Sequence, residues 1–302
     1  VAPAHNACAL RRTGTIWCWG LNTAGQLGIG TFNNSESPIA VRDRDNAPVT
    51  DARAIAVDGA RTCAIRSGGT VWCWGTAWDS SAASDREPWP VKMPSIRDAV
   101  AISISSDTGC AIDSFRDVWC WGRNTDGRLG TATGSSPGRV TGLPAIQKIA
   151  VGGAFVCATI DAPTDNVWCW GSDVYGQTAG NGAAVTAPHP VFHLPGKATN
   201  IAAGTTTACA QQASSDIFCW GTNAGGSLGT GSPDEALTIR VPTAVDFSGH
   251  VSSDVFAELG RDQDPLSEVT TGGTLSCNIR VGYAATPLFG SKDESLCGLY
   301  VA

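Results

Sequence analysis

The sequence has few cations and no hydrophobic run long enough to cross a membrane. Only four of its 302 residues are lysines, the formal net charge is −7 and the pI is near 5.0. Because a nucleic-acid partner requires a basic face and no window is rich in Lys and Arg, we expect no such partner. No apolar run reaches about 18 residues, so we expect no transmembrane segment. Without a signal peptide at the start, Val1 is expected to be a mature or trimmed N-terminus.

Two further absences limit the fold and the chemistry. No window shows the sustained 3.6-residue apolar period of a long helix, whereas 36 glycines and 16 prolines indicate a chain full of turns. The 12 cysteines include no CxxC pair, which argues against zinc. An even number of cysteines without zinc spacing favours disulfides. We therefore expect an oxidising location, which means extracellular, cell surface or periplasmic.

One segment returns along nearly the whole chain. Its first copy is CALRRTGTIWCWG, from Cys8 to Gly20. Related copies run from Cys63 to Gly75, from Cys110 to Gly122, from Cys157 to Gly171 and from Cys209 to Gly221, and a sixth, divergent copy runs from Cys277 to Cys297. The chain is therefore a repeat protein.

Each copy is predicted to be a hairpin closed by one disulfide. In the first, second, third and fifth copies the two cysteines are ten positions apart around a turn. In the fourth copy they are twelve apart, and because the two extra residues are an even number, the cysteines still lie opposite each other. In the first copy this register also places Leu10 opposite Ile16 and turns Trp17 and Trp19 to the other face, so both faces are apolar. The predicted pairs are Cys8–Cys18, Cys63–Cys73, Cys110–Cys120, Cys157–Cys169, Cys209–Cys219 and Cys277–Cys297.

Sheets that are apolar on both faces can bury each other by stacking around a ring. The first cysteines of successive copies lie 47 to 68 residues apart, which fits four short strands and their loops. We predict an all-β fold, a β-propeller of four-stranded antiparallel blades with one hairpin disulfide each. Six blades are expected, with seven as the alternative. The domain is predicted to span residues 1–302, with repeat cores near 1–41, 54–93, 100–140, 149–193, 201–245 and 268–299.

The position of each strand within a blade follows from its residues. A short strand of small residues precedes each first cysteine from the second copy onward and is expected nearest the axis. A fourth strand is expected to begin at a proline and to form the outer rim, at Pro38, Pro90, Pro190 and Pro242. The first copy has too few residues before Cys8 for an inner strand. That blade must therefore be completed by both termini or remain one strand short.

These residues carry a family resemblance. An Ile-Ala-x-Gly strand, a Cys-Ala-Leu strand, the Trp-Cys-Trp-Gly strand and then Asn22 to Gly28 (NTAGQLG) resemble the repeat of the regulator of chromosome condensation superfamily. Asn124 to Gly130 and Asn223 to Gly229 match the last element well, whereas the second copy replaces it with Thr76-Ala77-Trp78-Asp79. The family includes an exchange factor for a small GTPase, a plant photoreceptor and a secreted β-lactamase inhibitor. The resemblance implies a rigid disc that binds another macromolecule through its loops.

Residues that depart from the repeat are the binding candidates. Trp78 and Trp89 flank an atypical segment, and we select them with Asp79 for recognition. Asp262 and Asp264 lie in the long insertion before the sixth copy and complete the set of binding candidates. The tryptophans inside the Trp-Cys-Trp-Gly strands are instead predicted to pack between blades. These are Trp17, Trp19, Trp72, Trp74, Trp119, Trp121, Trp168, Trp170 and Trp220.

We expect no cofactor, with calcium as the alternative. Asp43, Asp45 and Asp51 place oxygen atoms at spacings like those of a calcium loop, but without its glycine and its bidentate glutamate. A solvated turn is the competing interpretation. No constellation of residues indicates a catalytic site, so no catalytic residue is assigned.

The sequence favours a non-catalytic binding module outside the cytoplasm that recognises a protein or a surface glycan through propeller loops. One alternative is a secreted hydrolase or lyase with carboxylates at the axial mouth. Another alternative is a structural or adhesive subunit of a surface assembly. The sequence does not determine the oligomeric state.

Overall fold

The computed structural model describes residues 6–78, 85–130, 137–231 and 237–246, together with the backbone of residues 269–272 and 275–278. Asp79, Asp262, Asp264 and Cys297 lie outside the described residues.

Each copy forms one antiparallel sheet with its strands in chain order from one edge to the other. The first sheet contains β1 (Asn6–Leu10), β2 (Ile16–Gly20) and β3 (Ser35–Ala40). The second contains β4 (Ala52–Asp58), β5 (Arg61–Arg66), β6 (Thr70–Thr76) and β7 (Arg86–Lys92). The third contains β8 (Ala99–Ser105), β9 (Thr108–Asp113), β10 (Val118–Gly122) and β11 (Gly138–Arg139). The fourth contains β12 (Ile146–Val151), β13 (Phe155–Ile160), β14 (Val167–Gly171) and β15 (Val185–Pro190). The fifth contains β16 (Ala198–Ala203), β17 (Thr207–Gln212), β18 (Ile217–Thr222) and β19 (Thr238–Ala244), and the sixth copy contributes β20 (Val269–Gly272) and β21 (Leu275–Asn278).

The sheets are the blades of a β-propeller. Their first strands contact one another in chain order, β4 with β8, β8 with β12, β12 with β16 and β16 with β20, so these strands line the centre. The first blade has three strands in the described part of the chain and no inner strand, as its short N-terminal segment predicts. The expected all-β propeller with antiparallel blades is confirmed, while the remainder of the sixth copy lies outside the described residues.

Five of the six predicted disulfides are present in the described part of the chain, and the pair Cys277–Cys297 stays a prediction because Cys297 lies outside it. Each joins directly opposed residues of the second and third strands, as in Cys8 opposite Cys18 and Cys157 opposite Cys169. The Cα atoms of each bonded pair are 4.1 Å apart. The pair in the fourth copy, with its longer turn, keeps the same register. Parity along the two strands therefore determines the pairing, as the sequence predicts.

The hydrophobic core lies between blades. One cluster contains the disulfide of the first blade together with Trp74 of the second, and another contains the second disulfide together with Trp121 of the third. The next two clusters repeat this pattern with Trp170 and Trp220. The tryptophan face of each of these sheets thus packs on the cysteine face of the sheet before it. Of the nine motif tryptophans predicted to pack between blades, these four are buried there. The other five are half-buried, namely Trp17, Trp19, Trp72, Trp119 and Trp168.

The outer strands differ from the prediction in one respect, because they begin before the proline. In the first blade Cys18 pairs with Ile39 and Gly20 pairs with Ser35, which leaves Pro38 inside a β-bulge. Pro90 and Pro242 occupy equivalent bulges, and in the fourth blade the equivalent residue is Pro188, not Pro190. Proline has no N–H to donate, so an outer strand accommodates it where the ladder is already interrupted.

Candidate binding face

The blades have two distinct ends. Turns from the first to the second strand and loops from the third to the fourth strand lie at one end, which we call the loop face. Turns from the second to the third strand and the links between blades lie at the opposite end, which we call the turn face. The Asn-x-x-Gly-x-Leu-Gly elements are third-to-fourth loops, and Trp78 also belongs to such a loop. We therefore expect a binding site on the loop face.

A polar side chain closes each regular loop on this face. In the first blade the Oδ1 atom of Asn22 accepts a 2.9 Å hydrogen bond from the backbone N–H of Leu27. The same bond recurs from Leu129 to Asn124 at 3.0 Å, from Thr178 to Asp173 at 2.9 Å and from Leu228 to Asn223 at 3.1 Å. Because the bond spans only five residues, it holds the loop in one conformation.

Three of these regular loops also contact the next blade. Trp74 donates its indole N–H to the main-chain oxygen of Gln26 at 2.9 Å, across the boundary between the first and second blades. Trp170 donates to Arg128 and Trp220 donates to Gln177 in the same way, each at 3.0 Å. The repeated loop is thus mainly a device that joins neighbouring blades.

The boundary between the second and third blades is built differently. Trp121 is fully buried, but its indole nitrogen has no hydrogen-bond partner within the described part of the chain. Trp78 lies edge-on to it, with 5.7 Å between ring centroids and 77° between planes. The Arg61 guanidinium lies 5.1 Å from the centroid of the Trp78 ring on the way to the surface. Trp78 therefore makes the inter-blade contact that the Asn-x-x-Gly-x-Leu-Gly element makes in other blades. It is half-buried, whereas we expected an exposed residue.

Charged groups cross this same boundary. Arg61 donates to the main-chain oxygens of Ser106 at 2.6 Å and Ala77 at 3.0 Å, and the carboxylate of Asp58 accepts from the backbone N–H of Ser106. Burial raises the pKa of Asp58, against the opposing effects of the Ser106 N–H and Arg61. Burial likewise lowers the pKa of Arg61, although Asp107 and Asp58 oppose this. The boundary is thus closed by charged groups that are partly desolvated and hydrogen-bond to the main chain.

The second acidic residue near the axis is also paired. Asp107 forms ion pairs with Arg123 at 3.1 Å and with Arg128 at 2.9 Å. Arg128 further donates to the main-chain oxygen of Gly153 in the fourth blade. Asp58 and Asp107 each face their own cation or N–H group, an arrangement that stabilises the blade contacts and gives no support to acid–base chemistry by axial carboxylates.

An exposed apolar patch lies at the boundary between the fourth and fifth blades, where the Thr238 side chain lies 3.3 Å from the position of a Cβ added at Gly176. Val174 and Tyr175 are 60% and 47% exposed, and Leu237 of the next blade is 74% exposed. We call these three residues the 4–5 patch. In the equivalent positions of the first loop stand Thr23 and Ala24. The patch therefore replaces small or polar residues with large apolar ones.

The backbone beneath this patch is firmly held. Asp173 is fully buried, and its carboxylate accepts hydrogen bonds from the hydroxyl of Thr178 at 2.7 Å and the backbone N–H of Gly182 at 2.7 Å. Arg240 of the fifth blade pairs with Asp173 at 3.2 Å and donates to the main-chain oxygen of Val174 at 3.3 Å. The loop is consequently pre-organised, with its apolar side chains pointing away from this polar support.

Trp89, the other predicted recognition residue, is half-buried against the first blade. Its ring lies over Gly30, where an added Cβ would come within 1.9 Å of it. The backbone N–H of Gly30 also donates to the main-chain oxygen of Pro88 at 3.0 Å. Trp89 thus contacts the first blade, and its role in recognition stays a prediction.

The calcium candidates have other partners. The Oδ1 atom of Asp43 accepts from the backbone N–H groups of Asp45 at 3.0 Å and of Ala47 at 2.9 Å, which is a solvated turn. Asp51 accepts from Arg66 at 2.6 Å and Ser67 at 2.8 Å. In the described ranges no three His, Cys, Asp or Glu side chains come together as a metal site would require. No helix in those ranges is long and apolar enough to span a membrane.

Sequence reasoning missed the 4–5 patch because it looked for long insertions. The signal was a substitution in register, Val174-Tyr175 where the other loops have small or polar residues. Leu237 carries no repeat signal and is brought to the patch only by the packing of one blade on the next.

Comparisons with known proteins agree with this architecture. Residues 13–54 and 117–159 match the family model described as the regulator of chromosome condensation (RCC1) repeat. The chain is similar to yeast RCC1 (Prp20) in a crystal structure bound to Kap60, with a TM-score of 0.72, 21% identity and coverage of 92% of this chain and 66% of that one. A second crystal structure of Prp20p, from Saccharomyces cerevisiae, was described with its binding properties to Gsp1p and histones. It gives a TM-score of 0.71, 20% identity, and coverage of 92% and 68%.

A similar fold occurs in human WBSCR16, with a TM-score of 0.67, 17% identity, and coverage of 89% of this chain and 68% of that one. This chain spans just under two thirds of the length of the Kap60-bound Prp20. Disulfide-closed blades, Asn-closed loops and inter-blade tryptophans define a β-propeller built from RCC1-type repeats. The chain has the fold of these RCC1-type propellers, and two of its segments match the RCC1 repeat.

Proposed function

We propose that this chain is a non-catalytic module that binds another protein outside the cytoplasm through its loop face. The observation that carries the proposal is the 4–5 patch. Exposed apolar and aromatic side chains on a rigid backbone are typical of the centre of protein interfaces, because little conformational entropy is lost when they are buried. The carboxylate of Asp173 supplies that rigidity from beneath.

The disulfides support the location. Five bridges join the hairpins of five successive blades. Such bonds persist in oxidising compartments and are rare in the cytosol. That chemistry supports the proposed extracellular, cell-surface or periplasmic location.

A protein partner is favoured over a surface glycan. Sugar sites commonly use an exposed aromatic face, yet Trp78 and Trp89 are both half-buried against neighbouring blades. The exposed residues of the 4–5 patch are mostly aliphatic, which suits an apolar protein surface. Protein binding also has a precedent in the fold, since Prp20 is bound to Kap60 in its crystal structure.

The proposal is tested by capture with matched variants. The full chain, a Tyr175→Ser/Leu237→Ser variant and a Phe115→Ser control are immobilised and exposed to extracytoplasmic proteins of the source cells. Phe115 is 77% exposed on the turn face, so the control removes an equally accessible apolar group elsewhere. We expect proteins that the wild type and the control both retain to be depleted about tenfold or more by the patch variant.

Two results would count against this function. One is retention that the patch variant leaves unchanged. The other is turnover of a polysaccharide or peptide by the wild-type protein, which would favour the enzymatic alternative. Electron micrographs showing fibres or regular multimers of the purified chain would favour a structural subunit instead.

A further inference from the structure

A cavity of about 350 Å³ lies on the turn face, between the inner strands of the third and fourth blades. It is at the opposite end of the blades from the 4–5 patch. Its lining consists of Val100, Ala101, Ser114, Arg116, Gln147 and Lys148. The volume is in the range of small-molecule sites, roughly 300–1,000 Å³.

The polar part of the lining contains hydrogen-bond donors and no carboxylate. Arg116 offers a guanidinium, Lys148 an ammonium, Ser114 a hydroxyl and Gln147 an amide. Across the described ranges neither Arg116 nor Lys148 has a carboxylate oxygen within 4.0 Å, whereas Lys197 on the same face forms an ion pair. Two unneutralised cations in one cavity are notable in a chain with a net charge of −7.

The backbone at Arg116 is held in an unfavourable conformation. Its φ is +68°, in the left-handed region, where a long side chain is uncommon. Equivalent turns in the other blades have glycine, aspartate or serine at this position, namely Gly14, Gly69, Asp165 and Ser215, all with positive φ. An arginine is thus placed where the fold prefers a small residue. The turn has this positive φ in all five blades, so arginine at this position incurs backbone strain that a glycine avoids.

Lys148 is a second exception to the repeat. Its equivalents on the inner strands are Ala54, Ala101 and Asn200, and each follows a register shift against the second strand. A bulge redirects the side chains beside it. At this bulge the fourth blade has an exposed lysine in the cavity wall.

We propose that this cavity binds a small molecule bearing an oxyanion, either a carboxylate or a phosphate. The planar guanidinium of Arg116 can donate two parallel hydrogen bonds to either group, and Lys148 adds a point charge. Ser114 and Gln147 supply neutral donors, and Val100 and Ala101 contact the apolar part of the ligand. This site is independent of protein binding at the loop face.

Isothermal titration calorimetry on the full chain tests the site with two probes, inorganic phosphate and citrate. We expect saturable binding of at least one probe, and the one that binds identifies the oxyanion as phosphate or carboxylate. Arg116→Gly and Lys148→Ala should each weaken that binding about tenfold or more, since each removes a charge-assisted contact. Lys92→Ala is the matched control, because Lys92 is an exposed lysine in the outer strand β7 of the second blade and does not line the cavity.

Arg116→Gly also separates binding from folding. Glycine accepts a positive φ, so the thermal midpoint of this variant should be unchanged or higher while binding is lost. The proposal is overturned if neither probe binds. It is equally overturned if the two cavity variants bind as the wild type does, or if Lys92→Ala weakens binding as much as they do.

Discussion

The indole nitrogen of Trp170 donates a 3.0 Å hydrogen bond to the main-chain oxygen of Arg128 in the preceding blade. This bond fastens the tryptophan face of one sheet to the loop of its neighbour, and it recurs at two other blade boundaries. At the boundary occupied by Trp78 the acceptor is replaced by an aromatic ring. The same repeat position thus has two different energetic environments within one chain.

That contrast predicts different costs for one substitution. Trp170→Phe should lower the free energy of unfolding by about 1 kcal/mol more than Trp121→Phe, because only Trp170 has an indole hydrogen bond to lose. Both variants lose a similar apolar area, so each serves as the control for the other. Urea unfolding followed by fluorescence measures the difference. Equal losses in the two variants would show that the indole bond adds nothing to the blade contact.

Two aspartates should change the free energy of unfolding in opposite directions as the pH falls. The pKa of Asp58 is raised above its ordinary 3.8, chiefly by burial. Its folded form therefore binds a proton more readily than the unfolded chain, and the resulting stability is present below pH 3.8 and is lost as the pH rises through the raised pKa.

Asp51 should show the reverse. Burial alone would raise its pKa, but hydrogen bonds from Arg66 and Ser67 outweigh this and lower it below 3.8. Its contribution is present above pH 3.8 and is lost as the pH falls through the lowered pKa. Unfolding free energies of the wild type, Asp58→Asn and Asp51→Asn, measured against pH, give the two slopes. If both substitutions changed the pH dependence of the unfolding free energy in the same direction relative to the wild type, the opposite pKa shifts of Asp58 and Asp51 would be contradicted.

Removing one hairpin disulfide should weaken the fold without changing its register. The Cys157→Ala/Cys169→Ala variant is expected to lose ~2–3 kcal/mol of unfolding free energy, since a short closed loop no longer restrains the unfolded chain. Chemical denaturation measures the loss. Peptide mapping of the oxidised wild type by mass spectrometry should find the six predicted intra-copy links, and links between different copies would refute the blade assignment.

Gly30 should tolerate alanine less well than Gly59. Both have positive φ, +77° and +54°, so each substitution incurs backbone strain of about 1 kcal/mol. An added Cβ at Gly30 would also meet the Trp89 ring at 1.9 Å, whereas at Gly59 it meets nothing within 4 Å. Thermal unfolding should therefore show a clearly lower midpoint for Gly30→Ala. Similar midpoints for the two variants would mean that the Trp89 ring moves away freely.

Much of the blade could be predicted because its determinants are local. Cys157 and Cys169 are opposed because parity along two adjacent strands is preserved when the turn lengthens by two residues. The small residues of β16 indicate the inner position by the same local reasoning. Pro38 indicates an outer strand, although its exact place in a bulge depends on the register with β2.

The candidate sites were less predictable because they depend on which blade lies beside which. Trp78 and Trp89 depart from the repeat, and the sequence alone favours recognition for both. Each instead packs onto a different neighbour, one against Trp121 and the other over Gly30. A departure from the pattern therefore marks a changed contact, and only the neighbouring blade shows whether that contact is internal or exposed.

By itself the sequence determined the repeat, the cysteine partners and the all-β propeller, since these arise from pairing and periodicity within about fifty residues. The tertiary structure alone decided that Tyr175 and Leu237 share an exposed patch and that Arg116 and Lys148 share a cavity. The members of each pair come from different loops and strands that are brought together only when strands and blades stack. Their proximity is a consequence of packing, which no local pattern encodes.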